Sequence, residues 1–378
     1  MAVLRTFGWS VTVTVLALAA ALLAWGPTGL VAVAVLGVLE VSLSFDNAVV
    51  NATVLRRMDA FWQRLFLTVG ILIAVFGMRL VFPLLVVSAT TRLSPAAVLD
   101  LAINNPGSYA EHLDHAHPAI AAFGGMFLLM IALDFLLAER EIHWLPPLER
   151  ALARAGRLDR LPVLLALGAL VTAAVTLAGT DLSTVLVSGT LGLIAYLAVG
   201  GLSQYFQAPA EEDEPGRTGP SRRPVAVGKA AFFLFLYLEV LDASFSFDGV
   251  VGAFAISQNI FQIALGLGIG AMFIRSLTVH LVRRGTLDDY VYLEHGAHYA
   301  IGALAVILLV TIRYDVPQTV TASIGVAFIG TSFLSSLARN RRRATPEAAV
   351  AHGEEGDGGH GQPHPGPVDL ESEGSGRA

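Results

Sequence analysis

Long apolar stretches alternate with short polar segments along almost the whole chain. A helix needs about 20 mostly apolar residues to cross a bilayer, and stretches of that length recur here between charges, glycines and prolines. The pattern predicts an all-α polytopic membrane protein with about ten transmembrane helices. The predicted spans are Trp9–Trp25, Leu30–Leu55, Leu65–Val87, Pro118–Ala138, Leu161–Ala178, Leu182–Tyr205, Val225–Ile256, Ile260–Val282, His298–Ile312 and Val316–Leu337.

Basic residues in the connecting loops predict the orientation of these spans. Arginine and lysine accumulate in short cytoplasmic loops, and here arginine-rich loops alternate with loops that carry one basic residue or none. Both termini also carry arginine, so an even number of crossings places both in the cytoplasm. The arginine-rich loops are residues 56–64, 140–160, 217–229 and 283–284.

Composition supports a membrane protein and excludes several other classes. Of 378 residues, 54% are hydrophobic, 14% are charged and none is cysteine. These values exclude a soluble globular domain, a disulfide framework and a thiolate metal site. A formal net charge of -6 argues against a nucleic-acid partner, so the bilayer is the expected environment.

The chain divides into a membrane domain and polar segments. We expect residues 1–338 to form the transmembrane domain, interrupted by a charged, proline-rich cytoplasmic linker at 207–224. Residues 339–378 are rich in glycine, glutamate, histidine and proline, which predicts a disordered cytoplasmic tail.

The membrane domain contains an internal repeat, with copies at about 30–138 and 230–338. The segment LEVSLSFDN at 39–47 aligns without gaps on LDASFSFDG at 241–249. Downstream, a lone arginine follows a glycine at the same spacing in each copy, at Arg79 and Arg275. The two motifs lie five predicted crossings apart, so they run in opposite directions through the membrane. Inverted-topology repeats of this kind are typical of secondary transporters.

Four acidic residues lie inside otherwise apolar spans: Glu40, Asp46, Asp242 and Asp248. A carboxylate at that depth costs on the order of 2.5 to 3.5 kcal/mol on insertion scales, which favours an ion or proton pathway. The alternative is a structural ion pair with Arg79 or Arg275. Four carboxylates exceed two arginines, so the excess negative charge favours a cation or protons.

The motifs also predict how these acids become ligands. Residues six apart point in different directions on a regular helix, so we expect both helices to break at S-F-D-N and S-F-D-G. Oxygen donors alone suit Mg²⁺, Ca²⁺ or Mn²⁺ rather than zinc or copper. The predicted metal ligands are Glu40, Asp46, Asn47, Asp242 and Asp248, with Ser44 and Ser246 in support and Arg79 and Arg275 compensating the charge.

One further polar cluster follows the arginine in each copy. Its pattern is Y-x-E-H, at Tyr109–His112 in the first copy and Tyr292–His295 in the second. Histidines at helix ends serve equally as ion gates and as interfacial anchors, and both interpretations stay open. The gate residues would be Glu111, His112, Glu294, His295 and His298.

These motifs resemble a known family. S-F-D-N-A at 44–48 and S-F-D-G at 246–249, each with its downstream arginine, are similar to the TerC-like integral membrane proteins of tellurium resistance. G-G-M-F-L-L-M at 124–130 and Y-L-E-H-G-A-H-Y-A-I-G-A at 292–303 look like an uncharacterised bacterial branch beside that family.

The resemblance implies a bacterial inner-membrane protein. Relatives in the wider superfamily include manganese exporters and small-molecule exporters, and the similarity implies that Asp46 and Asp248 bind the metal. The chain departs from the family pattern by an additional first span, and by Gly249 where the asparagine would recur.

The leading hypothesis is an exporter of a divalent cation, with Mn²⁺ as the first choice and proton antiport as the coupling. The cation is then the substrate, and no cofactor is expected. The alternatives are an exporter of another ion or small solute, an intramembrane aspartate hydrolase, and a non-transporting partner in a stress-response complex. The chain has no G-x-G-D segment and no serine in a nucleophile context, as an intramembrane hydrolase would need. We therefore expect a transporter rather than an enzyme.

Overall fold

The computed structural model describes residues 2–70, 72–158, 160–212, 225–254, 256–284 and 289–353, and the side chains of most of them. The side chains of Asp46 and Asp248 lie outside the described part. Residues 1–336 form one compact unit and residues 337–378 a second. The predicted all-α fold is confirmed, since the described residues contain helices and no strand.

The described residues form thirteen α-helices, two π-helical segments and one 3₁₀ turn. They are α1 Ala2–Leu43, α2 Phe45–Leu55, α3 Ala60–Leu65, π1 Phe66–Gly70, π2 Ile73–Val81, α4 Phe82–Thr91, α5 Pro95–Asn104, α6 Pro106–Leu137, α7 Pro146–Ala155, α8 Leu161–Leu177, the 3₁₀ turn Gly179–Asp181, α9 Leu182–Glu212, α10 Gly228–Ala253, α11 Ile260–Arg284, α12 Leu293–Thr311 and α13 Gln318–Gly353.

Helix α1 is a hairpin of two helical arms. Gly26 adopts φ 71° and ψ −164°, a conformation open to glycine but strained for other residues, and Pro27 follows it. On the first arm, the Ser10 hydroxyl donates to the Met272 carbonyl of α11 at 2.8 Å. After the turn, Gly29 lies close to Gln262 near the start of α11. The second arm then follows α11, and Gly37 packs on Ile269. The two arms therefore correspond to the first two predicted spans.

Seven helices are long and apolar enough to cross a membrane, with α1 counted once. Two further predicted spans coincide with α8, a shorter apolar helix of 17 residues, and with α10. The second predicted span continues from α1 into α2, and the third covers π1, π2 and the first part of α4. The number of ten crossings stays a prediction, because length and composition alone define these candidates.

Several boundaries differ from the predicted ones. Helix α6 begins at Pro106 rather than near Pro118, because the Asn105 side chain accepts a hydrogen bond from the Ser108 amide and caps it. Helix α13 continues to Gly353, so the first part of the predicted tail is helical. Residues 354–378 and the linker residues 213–224 lie outside the described residues.

The topology predicts which loops face each side of the membrane. Because the chain has no cysteine, a single introduced cysteine reports its own location. Ala96→Cys, exposed on α5, should react with a membrane-impermeant maleimide in intact cells. Ala151→Cys, exposed on α7 in an arginine-rich loop, should react only after permeabilisation. Cytoplasmic labelling at position 96 would contradict the inverted repeat.

Candidate functional site

The first S-F-D motif interrupts its helix as predicted. Helix α1 ends at Leu43, Ser44 adopts φ −100° and ψ 13°, and α2 begins at Phe45. The Ser44 hydroxyl donates to Oε1 of Glu40 at 2.8 Å. The bend therefore directs Glu40 and the residues of α2 toward a shared interior.

The predicted break in the second motif is wrong. Helix α10 continues without interruption from Gly228 to Ala253. The Ser244 hydroxyl donates to the Val240 carbonyl one turn earlier at 2.9 Å, as the aligned Ser42 hydroxyl does to the Val38 carbonyl. The two copies therefore share this bond but differ in the backbone that follows it.

One arginine joins the acidic residues of the two copies. Nη2 of Arg79 donates to Oε1 of Glu40, and Nη1 lies 4.0 Å from Oδ2 of Asp242. All three residues are buried, with exposed fractions of 3% for Arg79, 1% for Glu40 and 8% for Asp242. Because a buried charge is costly without a partner, this ion-pair triad defines the polar centre between the two halves.

Arg79 occupies an unusual backbone. It lies in π2, a π-helical segment of nine residues, and its Nη1 also donates to the Ala74 carbonyl at 2.6 Å. The π-helix is rare and occurs often at functional sites. Arg275, the equivalent residue of the second copy, lies in the regular helix α11 instead. The two arginines are therefore held differently although their sequence spacing is the same.

Polar neighbours complete the hydrogen bonds of Asp242. Nδ2 of Asn47 donates to its Oδ1 at 2.8 Å, and the Ser246 hydroxyl donates to its Oδ2 at 3.4 Å. The Ser246–Asp242 bond reproduces the Ser44–Glu40 bond of the first copy, four residues apart in each case. The aligned residues therefore occupy equivalent local positions in the two copies.

The two motif helices run in opposite directions. The Asp59 amide donates to the Ala226 carbonyl at 3.1 Å, which joins the residues after α2 to those before α10. Asn47, near the start of α2, meets Asp242, near the middle of α10. Helices α2 and α10 are therefore antiparallel where they meet at the polar centre, as an inverted repeat requires.

Glycines permit the burial of the Glu40 side chain. A Cβ added at Gly270 would lie 2.3 Å from Cγ of Glu40, and one at Gly249 would lie 3.1 Å from Oε2. A larger residue at Gly270 would displace the carboxylate from the centre. Gly249 thus has a packing role beside Glu40.

A cavity of about 40 Å³ adjoins the triad. Arg79, Asp242 and Ser44 line it on the triad side, and Glu239 and Asn51 line it farther along α10 and α2. Sequence analysis missed Glu239 because it lies outside the repeated motif. The signal was present, since Glu239 is an acidic residue within an apolar helix and is 5% exposed.

Other predicted ligands are only partly placed. The side chains of Asp46 and Asp248 lie outside the described part, and Arg275 lines the cavity beside Arg79. Among the described residues, no three histidine or acidic side chains are grouped in a way that could hold a metal ion. The described carboxylates instead surround a guanidinium.

The first Y-x-E-H cluster begins α6. Tyr109 is 1% exposed, and its ring centroid lies 5.7 Å from that of Phe254. Glu111 is exposed and His112 is half-buried. The tyrosine therefore contributes to packing, while the glutamate faces outward.

The second cluster anchors the start of α12 to the chain after α6. Nε2 of His295 lies 2.9 Å from the Ile142 carbonyl and 3.7 Å from Oε2 of Glu149. Glu294 lies 3.7 Å from Nη1 of Arg140, and the His298 ring stacks on Phe135 at 3.7 Å. These contacts support the interpretation as an anchor.

Comparison with known proteins identifies the family. The family described as "Protein of unknown function (DUF475)" matches residues 45–343. The chain belongs to this family. The matched range includes Arg79, Glu239 and Asp242, whereas Glu40 lies just before it. No curated protein and no solved structure matches the chain.

The triad predicts a stability effect. Arg79→Leu leaves Glu40 and Asp242 buried without their cation, which should lower the free energy of unfolding by about 3 to 5 kcal/mol. Thermal unfolding of the purified protein in detergent would measure it, with the exposed Arg154→Leu as the control. Adding Glu40→Gln to Arg79→Leu should restore part of the loss. A fully stable Arg79→Leu variant would contradict the pairing.

Proposed function

We propose that the protein is a secondary transporter that exports a divalent cation, with Mn²⁺ as the first choice, across a bacterial inner membrane. The observation that supports this best is the meeting of Glu40 and Asp242, from the two copies of the repeat, on the buried Arg79. Transporters with inverted repeats bind their substrates at such an interface. Kinship with TerC-like exporters is part of the same proposal.

The charge of the centre favours a cation as substrate. Arg79 is shared between two carboxylates, and Asp46, Asp248 and Glu239 add three more acids on the same helices. All of these groups offer oxygen, the donor that Mg²⁺, Ca²⁺ and Mn²⁺ prefer. Mn²⁺ is the first choice because Mg²⁺ gives up its water reluctantly and demands a near-ideal octahedral geometry.

The proposed transport cycle couples the cation to protons. Carboxylates packed at short range repel one another, so the centre holds protons when no cation is bound. Metal binding requires deprotonated ligands and therefore releases those protons. Protons entering from outside and Mn²⁺ entering from the cytoplasm would thus exchange at one site.

The proposal predicts that each S-F-D aspartate is required for transport. Asp46→Asn and Asp248→Asn should each abolish Mn²⁺ export while the protein still inserts and folds, because the substitutions remove charge from the bilayer interior. Cellular manganese content, measured with and without expression, gives the readout. Asp100→Asn, exposed on α5, is the matched control.

A fully active variant would show that its carboxylate is not a ligand. Misfolding of both variants would favour a purely structural ion pair.

The coupling predicts proton movement. Purified protein in liposomes containing a pH-sensitive dye should move protons against a Mn²⁺ gradient, and the Asp46→Asn variant should not. Mn²⁺ flux without proton movement would contradict the antiport but leave the cation site intact. Absence of flux for every divalent ion tested would contradict the transporter proposal.

A further inference from the structure

Glu239 and Asn51 form a second polar layer next to the triad. Glu239 lies one helical turn before Asp242 on α10, and Asn51 lies one turn after Asn47 on α2. Because α2 and α10 are antiparallel, both steps lead in the same direction along the membrane normal. That direction is toward the arginine-rich loop at 56–64, where the residues after α2 meet Ala226.

The oxygens of this layer lack protein partners. Glu239 and Asn51 are each 5% exposed, and both line the cavity. Among the described residues, no group hydrogen-bonds to Oε1 or Oε2 of Glu239 or to Oδ1 of Asn51. Buried polar atoms are nearly always satisfied, so three such acceptors beside one cavity require a hydrogen-bond donor or a cation there.

The balance of charge around the cavity also favours a cation. Arg79 and Arg275 line the cavity together with Asp242 and Glu239. Arg79 is already bonded to Glu40, so its charge is shared between Glu40 and Asp242 and does not reach Glu239 by a described ion pair. A carboxylate in this position matches a cation better than an anion.

The cavity fits a small ion. Its volume of about 40 Å³ exceeds the roughly 10–15 Å³ that one water molecule needs by the same measure. A metal ion with a coordinated water therefore fits this space.

The second polar layer breaks the symmetry of the repeat. In the register that aligns the S-F-D motifs, Glu239 corresponds to Gly37 and Asn51 corresponds to Ala253. Gly70 faces Glu239, with an added Cβ 2.9 Å from its Oε1. Gly266 precedes Arg275 by nine residues, as Gly70 precedes Arg79. Gly266 faces Gly37, and a Cβ added at Gly37 would lie 3.4 Å from the Gly266 carbonyl oxygen.

The corresponding helix contacts of the two copies therefore differ in how closely the helices pack. Where glycine meets glycine, the backbones approach closely. Where Gly70 meets Glu239, a carboxylate and a cavity lie between the helices. The oxygen-lined space is thus specific to one side of the triad.

An apolar cluster packs on the opposite side of the triad. Leu36, Val87, Val250 and Leu267 are buried there together with Tyr109. The buried members of this cluster carry no carboxylate or amide side chain, unlike the layer formed by Glu239 and Asn51.

We propose that Glu239 and Asn51 form an entry site for a divalent cation on the side of the arginine-rich loops. An ion bound there lies one helical turn from Asp242 and Asn47, which receive it next. The order of these steps rests on the proposed export function, whereas cation binding at Glu239 is a separate property of the chain.

Mn²⁺ binding to the full-length protein in detergent tests the entry site. Free Mn²⁺ measured by electron paramagnetic resonance gives the affinity. Glu239→Gln keeps the shape of the side chain and should weaken binding at least about tenfold, because a direct ligand contributes no less than the supporting groups around metal sites. Glu239→Asp should bind with intermediate affinity. Glu139→Gln, whose side chain is 68% exposed, is the matched control.

A second variant tests the site without altering a ligand. Gly70→Ala places a methyl group 2.9 Å from Oε1 of Glu239 and should weaken Mn²⁺ binding by displacing that carboxylate. Gly168→Ala is its control, because a Cβ there meets nothing within 4 Å. The thermal unfolding midpoint without metal identifies any variant that fails to fold.

The outcomes separate this inference from the transport proposal. Unchanged Mn²⁺ affinity in folded Glu239→Gln would overturn the entry site, even where liposomes show Mn²⁺ flux. Glu239-dependent binding without flux would support the site and contradict export. Wild-type protein that binds no Mn²⁺ would overturn the entry site, and the liposome assay would then decide the transport proposal alone.

Discussion

The burial of one guanidinium between carboxylates from two halves of the chain is the interaction on which the polar centre depends. Removing these charges from water is unfavourable, and only close pairing and complete hydrogen bonding offset that cost. Arg79 meets Glu40, while Asn47 and Ser246 complete the shell of Asp242. Four helical segments must therefore converge on one point, which constrains the packing of the surrounding membrane domain.

Sequence was sufficient to predict that Glu40, Asp242 and Arg79 matter at this point, because insertion cost and repetition gave independent signals. An acid in an apolar span is expensive, and its recurrence with a downstream arginine indicated that the residues act together. Glu239 gave only the first signal, since its counterpart is Gly37. The unbroken course of α10 had no sequence signal, because the two motifs are nearly identical and Ser42 and Ser244 make the same hydrogen bond within their helices. The π-helical setting of Arg79 had no sequence signal either.

Repetition and its exceptions have different consequences for function. The repeated residues supply a centre that both sides of the membrane approach in similar ways. The exceptions make it asymmetric, because Glu239 and Asn51 line the cavity on one side while an apolar cluster packs on the other. Under the proposed export function, this asymmetry would give an arriving ion a preferred side.

Arg79 illustrates why a structural ion pair and a transport site need not be alternatives. A cation that took Glu40 and Asp242 as ligands would displace the guanidinium, and a charge released without a partner inside a membrane would be prohibitive. Arg79 already donates to the Ala74 carbonyl of its own π-helix at 2.6 Å. That bond does not involve either carboxylate, so it remains available when the carboxylates turn to a metal. Under the proposed function, the unusual helix would thus supply a second partner for Arg79 during an exchange of cations.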